Sequence, residues 1–112
     1  MNQSQMLKGI LEGCVMKIVS NQSYYSQEII FSLNRKGFEN ISEGTLFPLL
    51  LRLDKEGYFT IQMIPSSLGP SRKYYRLNQA GHAALQRFIS EWNGLKTIVD
   101  QIMAEDNDNG NE

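Results

Sequence analysis

Between Gly57 and Asn78 the spacing of apolar residues changes from a helical repeat to strict alternation, and after Asn78 it changes back. Few architectures accommodate that switch. The segment YFTIQMI sets Phe59, Ile61 and Met63 against Tyr58, Thr60 and Gln62. It is rich in β-branched and aromatic residues, which predicts a strand. Residues 65–71, PSSLGPS, carry the prolines, serines and glycine of a turn-rich loop. Residues 72–77, RKYYRL, alternate again and return as the second strand of a hairpin. Tyr74 and Tyr75 fall on opposite faces of that strand, one toward a core and the other partly exposed.

Upstream, the pattern is helical. From Met6 to Val19, the residues Leu7, Ile10, Leu11, Cys14, Val15, Ile18 and Val19 recur at steps of three and four, predicting a first helix with one wide apolar stripe. Gly9 and Gly13 lie inside it. Each costs roughly 1 kcal/mol against Ala, so they mark either a close approach by another backbone or simple tolerance in a packed helix. A second helix starts at Ser26, directs Ile29, Ile30 and Leu33 inward, and stops at Gly37 after Arg35 and Lys36. A third starts at Ser42 as N-cap, with Glu43 in its first turn, and runs to Gly57 with Leu46, Leu49, Leu50 and Leu53 inward. Pro48 opposes that assignment unless it sits close enough to the helix start.

Downstream, Asn78 caps a long last helix in which Leu85, Phe88, Trp92, Leu95, Val99 and Ile102 follow steps of three and four in turn, an a/d heptad seam. The expected fold is therefore mainly α with a small β-hairpin. Residues 1–78 form the body, residues 79–104 a helix that pairs with a second copy, and residues 105–112 a disordered acidic tail. The first helix is expected to contribute to the same dimer.

Composition narrows the class further. With 41% hydrophobic residues in 112, the chain can bury one modest core but not two. One cysteine, Cys14, rules out an internal disulfide, and with one histidine, His82, it leaves no zinc set. Cys14 in its apolar run reads as an inert buried thiol, and His82 as a helix-start surface or capping residue. No phosphate-binding glycine loop or nucleophile–base set is present, so an enzyme is not expected, nor is a cofactor. No run approaches the ~20 apolar residues that span a bilayer, and the first residues lack the flanks of a signal peptide. A cytoplasmic protein with no membrane partner is expected. The net charge is −1, but outside Glu105–Glu112 the chain carries eleven bases and eight acids, a net +3. A mildly basic body permits a nucleic-acid partner.

Three short helices followed by a hairpin make the winged form of the helix-turn-helix. There, the third helix can enter the major groove of double-stranded DNA and the hairpin can reach the adjacent backbone. The same fold also serves as a protein-interaction module, so element order alone leaves both readings open. The stretches EGTLFPLLLRLDKEGYF and GPSRKYYRLNQAGHAAL resemble the signatures of the PadR family of transcriptional regulators, and MLKGILEG is similar to the family's first helix. The resemblance spans roughly residues 6–103. It makes Pro48 a feature of the third helix and implies that the long last helix exchanges with, or packs against, its counterpart to build a homodimer. The leading expectation is a repressor that occupies a palindromic operator, since a two-fold dimer reads paired half-sites. Two departures stand out. Phe47 replaces the family's usual tyrosine before that proline, and Tyr25-Ser26-Gln27 replaces a frequent His-Gly-Tyr.

Candidate DNA contacts are Ser42, Gly44, Thr45, Phe47 and Arg52 on the third helix and Arg72 and Lys73 at the wing. The hydroxyls and cations suit phosphates, and Arg52 also suits a guanine edge. The alternative for these residues is a solvated helix face with Phe47 in the core. Leu7, Leu11, Val15, Phe88, Trp92, Leu95 and Val99 are candidates for a dimer or effector surface. Trp92 is first an interface anchor and second a platform for a planar hydrophobic small molecule. The run Ser90-Glu91-Trp92 is similar to a Glu-x-Trp stretch in drug-sensing members of the family, whereas Lys96 disfavours a cationic ligand.

Overall fold

The computed structural model describes residues 6, 7 and 9–106. Among these, the elements in chain order are α1 (Ile10–Ile18), α2 (Ser26–Arg35), α3 (Glu43–Lys55), β1 (Phe59–Ser66), β2 (Gly69–Leu77) and α4 (Gln79–Met103). The tail beyond Asp106, expected to be disordered, lies outside the described residues.

The helix boundaries follow local chemistry. Gly37 and Gly57 take positive φ (122° and 82°) just after α2 and α3, which glycine alone adopts without cost. At the start of α2 the Tyr25 amide donates to Glu28 Oε1 at 3.1 Å. Asn78 Oδ1 accepts the Gly81 amide at 2.8 Å, while its side-chain amide donates to the Gly57 carbonyl at 2.8 Å. The cap of α4 thereby also ties down the turn that ends α3. Ser42 is the N-cap of α3, but through its carbonyl, which accepts the amides of Thr45 and Leu46; its hydroxyl makes no capping bond. Pro48 sits in the second turn of α3, depriving only the Gly44 carbonyl of its helical donor.

Two boundaries differ from those expected. The first helix does not run unbroken from Met6: Gly9, at φ 85°, interrupts it, and α1 begins at Ile10. Gly9 is there for its backbone angle, since a Cβ on it would meet nothing. Gly13 is there for a close approach, although by the Phe88 ring of α4 rather than by a backbone. The hairpin is also longer than its alternation suggested. Its strands pair antiparallel from Phe59↔Leu77 out to Ser66↔Gly69, so most of the expected loop is ladder. Between Ile64 and Ser66 the register slips, where Pro65 faces Pro70 and Ser71. A bulge is where prolines can enter a ladder.

The core gathers Leu11, Val15 and Val19 of α1, Ile29 and Leu33 of α2, Leu46, Leu49, Leu50 and Leu53 of α3, Phe59, Tyr75 and Leu77 of the hairpin, and Leu85 of α4. Phe59 and Tyr75 meet edge to face at 5.2 Å, and Tyr74 is only half-buried, as the alternation required. Tyr24, in the link between α1 and α2, exchanges two backbone hydrogen bonds with Tyr75 (3.0 and 2.8 Å), and Leu77 donates to the Val19 carbonyl. These bonds clamp the hairpin base onto the helices. Leu11 and Val15, expected at a dimer or effector surface, are instead buried in the chain's own core, Val15 completely. Leu7 is half-buried. Burial pushes the half-exposed Cys14 thiol above its ordinary value of 9.0.

The last helix is about 37 Å long and leaves the body halfway. Ala84 and Leu85 are buried and Phe88 and Ile89 half-buried, but every residue from Ser90 to Met103 is exposed. The molecule is accordingly elongated, 68 × 29 × 20 Å. No helix among the described residues is long and apolar enough to cross a membrane.

Candidate nucleic-acid interface

In α3, Leu46, Leu49, Leu50 and Leu53 face the core. At 3.6 residues per turn, the direction opposite them is taken by Gly44, Pro48, Leu51 and Lys55, with Phe47 at one edge and Arg52 at the other. All six are exposed. Phe47, for which a core position was the alternative, is 46% exposed, and Leu51 57%. Thr45 and Arg52 lie on the flank of α3 that faces α1, where they line a hollow with Leu7, Leu11 and Glu12. Arg52 forms an ion pair and hydrogen bond with Glu12, which holds its guanidinium toward α1. On the other flank Glu43 accepts a hydrogen bond from the side-chain amide of Gln27, joining the first turns of α2 and α3.

The wing reaches the same corner. Arg72 stacks over the Tyr25 ring, its Cζ 4.4 Å from the centroid, and Tyr25 meets Tyr74 edge to face at 5.3 Å. Arg72, Tyr74 and Arg76 share one face of β2, and Lys73 lies on the other. The three cations are all exposed. One corner of the molecule thus brings together the start of α2, the start of α3 and the cationic strand of the wing.

Several of these features escape a reading along the chain. Tyr25 as the seat of Arg72 and Glu12 as the partner of Arg52 join residues about forty or more apart, and no local pattern signals them. Leu51 and Lys55 could have been placed with Phe47 by helical spacing alone. The second candidate group divides. Phe88 packs on Gly13, while Trp92, Leu95 and Val99 are exposed along α4, Trp92 least at 37%. Between α1, α2 and α4 runs a groove of about 720 Å3, mostly apolar, lined by Cys14, Ile18, Phe38, Phe88 and Trp92 among others, with Lys17 and Lys36 beside them.

Three helices and a clamped hairpin, with the starts of the second and third helices and the hairpin's Arg72 brought to one corner, define a winged-helix protein. Residues 15–87 match the model of the Transcriptional regulator PadR-like family, and the chain belongs to that family. It is similar to the crystal structure of a PadR-like transcriptional regulator from Bacillus cereus (41% identity, TM-score 0.80, covering 91% of this chain and 99% of that one). It is also similar to a Streptococcus transcriptional regulator (37% identity, TM-score 0.78, covering 88% and 97%). An uncharacterised protein of Lysinibacillus sphaericus is 30% identical over 106 residues, 92% of this chain and 96% of its own length. The structural relatives named here are transcriptional regulators, not enzymes.

Proposed function

We propose that this chain represses transcription by occupying a palindromic operator as a homodimer. The observation that carries the reading is the corner just described, where the first turn of α3 and Arg72 of the wing both meet the start of α2. A helix of this width suits the major groove, and cations on an adjoining hairpin suit the neighbouring phosphates. Ser42, Gly44 and Thr45 at the start of α3 are the further contacts in this reading. Arg52 joins them only by exchanging Glu12 for a phosphate.

The dimer is supported by α4, whose exposed stripe of Trp92, Leu95, Ile98, Val99 and Ile102 has no cover within the protomer. A second copy of the same helix is the natural cover for such a seam. Trp92 acts as an anchor of that contact. A planar apolar effector taken up between α4 and the groove beside it would alter the spacing of the two α3 helices, and thereby operator affinity.

The test is a mobility-shift titration of the full chain on its own upstream DNA over a salt series. Half-sites about 10 bp apart, centre to centre, are expected, with affinity falling steeply as salt rises because phosphate contacts release counterions. Binding indifferent to salt, or a monomer at micromolar concentration by sedimentation, contradicts the reading. Leu95→Asp should give monomers and lose the shift. Saturable quenching of Trp92 fluorescence by planar compounds tests the effector.

A further inference from the structure

The outward row of α3 is chemically unusual for a surface that reads bases. Gly44, Phe47, Pro48, Leu51 and Lys55 include no Asn, Gln or Arg, and Lys55 alone among them carries a polar side chain. Of the polar side chains on the flanks, Arg52 is engaged with Glu12 and Glu43 with Gln27. What the row offers instead is two large apolar side chains one turn apart, both about half-exposed. A solvated helix face is normally polar, so an apolar row needs an occupant. The exposed cations of the wing, with Arg72 held at the start of α2, favour a polyanion as partner over an apolar protein surface. Gly44 exposes its backbone in the first turn: a Cβ on it would have only the Ser42 hydroxyl near, at 3.7 Å. That permits close approach at this end of the helix.

The C5-methyl of thymine is the apolar group that base pairs display in the major groove. We infer that Phe47 and Leu51 are specificity-determining residues that pack on thymine methyl groups, so that each half-site is read through apolar contact at one or two T·A pairs. The inference rests on the proposal that α3 enters the major groove, and it adds which base feature is recognised and by which side chains. Lys55, on the same row and one turn further on, is left for a phosphate.

The experiment begins by selecting a preferred duplex from a random library with the full-length chain. Each thymine is then replaced in turn by deoxyuridine, which removes the methyl and keeps every hydrogen-bonding group, and affinity is read by fluorescence anisotropy. At one or two thymines per half-site, removal should weaken binding about fourfold per methyl, the effect of uncovering one such group. Phe47→Ala and Leu51→Ala should each abolish the sensitivity at their own thymine while leaving the salt slope unchanged. Lys55→Gln should keep the methyl sensitivity and lower the slope by about one. Helical circular dichroism checks each variant, and the deoxyuridine series on the unaltered protein stands without any of them. A duplex bound in a salt-dependent way but indifferent to every thymine methyl overturns the inference and leaves the DNA reading intact. So does a full methyl effect that survives in both variants. If no duplex is enriched at all, the DNA reading itself fails and takes this inference with it.

Discussion

Two glycines of α4 should answer the same substitution with opposite sign. Gly81 is the third residue of the helix, its amide bonded to the Asn78 cap. A Cβ on it would lie 2.6 Å from Leu77 Cδ2 and 3.2 Å from the Tyr58 carbonyl carbon, with the Tyr58 oxygen closer still. Carbon atoms prefer 3.5–4.0 Å, so something must shift by about 1 Å. The Leu77 methyl is buried, and the Tyr58 carbonyl is backbone that already accepts the Asn78 amide at 3.0 Å. Overpacking of this kind costs about 1–3 kcal/mol, and the unyielding neighbour places Gly81→Ala toward the upper end. The better helix propensity of Ala returns at most about 1 kcal/mol. A net loss of about 2 kcal/mol should lower Tm by roughly 8 °C in a chain of this length. Gly94 lies off the apolar seam, and a Cβ there meets nothing within 4 Å. Gly94→Ala should therefore stabilise by about 0.5–1 kcal/mol. Thermal melts at one fixed protein concentration, which keeps any association term constant, give both values. A Gly81→Ala protein that melts at or above the unaltered chain would refute the account of this junction as a backbone contact.

Gly13→Ala should also destabilise, by about 1 kcal/mol net, because the added methyl meets the Phe88 ring. A double-mutant cycle with Phe88→Leu should return a favourable coupling above about 0.5 kcal/mol, and zero coupling would mean the ring is not what the glycine accommodates. Glu12→Gln should change stability by less than about 1 kcal/mol, as expected for an exposed pair, while freeing Arg52. On the operator it should raise the salt slope by about one if Arg52 then reaches a phosphate. In alkali, Cys14 and Tyr75 act together. Burial raises both groups above their ordinary values of 9.0 and 10.0, with the Asp54 charge adding a smaller push to Tyr75. A raised folded-state value means that the unfolded chain releases its proton first. Stability is therefore full below pH 9.0 and declines as pH rises through the shifted values. Urea titrations should show the decline begin later in Cys14→Ala, and an unchanged onset would remove the thiol from the account.

The sequence by itself determined everything that neighbours along the chain decide. The change of period around Gly57 and Asn78 marks the hairpin. The glycines after α2 and α3 end those helices, because a left-handed residue is a local requirement. Asn78 caps α4 because its donor lies three residues away, and the stripe of Trp92, Leu95 and Val99 is legible because a helix repeats itself. Tertiary structure alone decided the rest. The Tyr24–Tyr75 pairing has no period to betray it, and the extra length of the hairpin depends on a bulge that seats two prolines. Leu11 and Val15 share the stripe of α1 with residues that remain open, and only the packing of α2, α3 and α4 shows which are covered. Arg52 looks like a free cation until the fold brings Glu12 beside it, and Arg72 like one of several wing cations until Tyr25 fixes its direction. Local preferences are summed over a few residues, whereas burial and charge pairing depend on which distant segments meet, and that is settled only when the core closes.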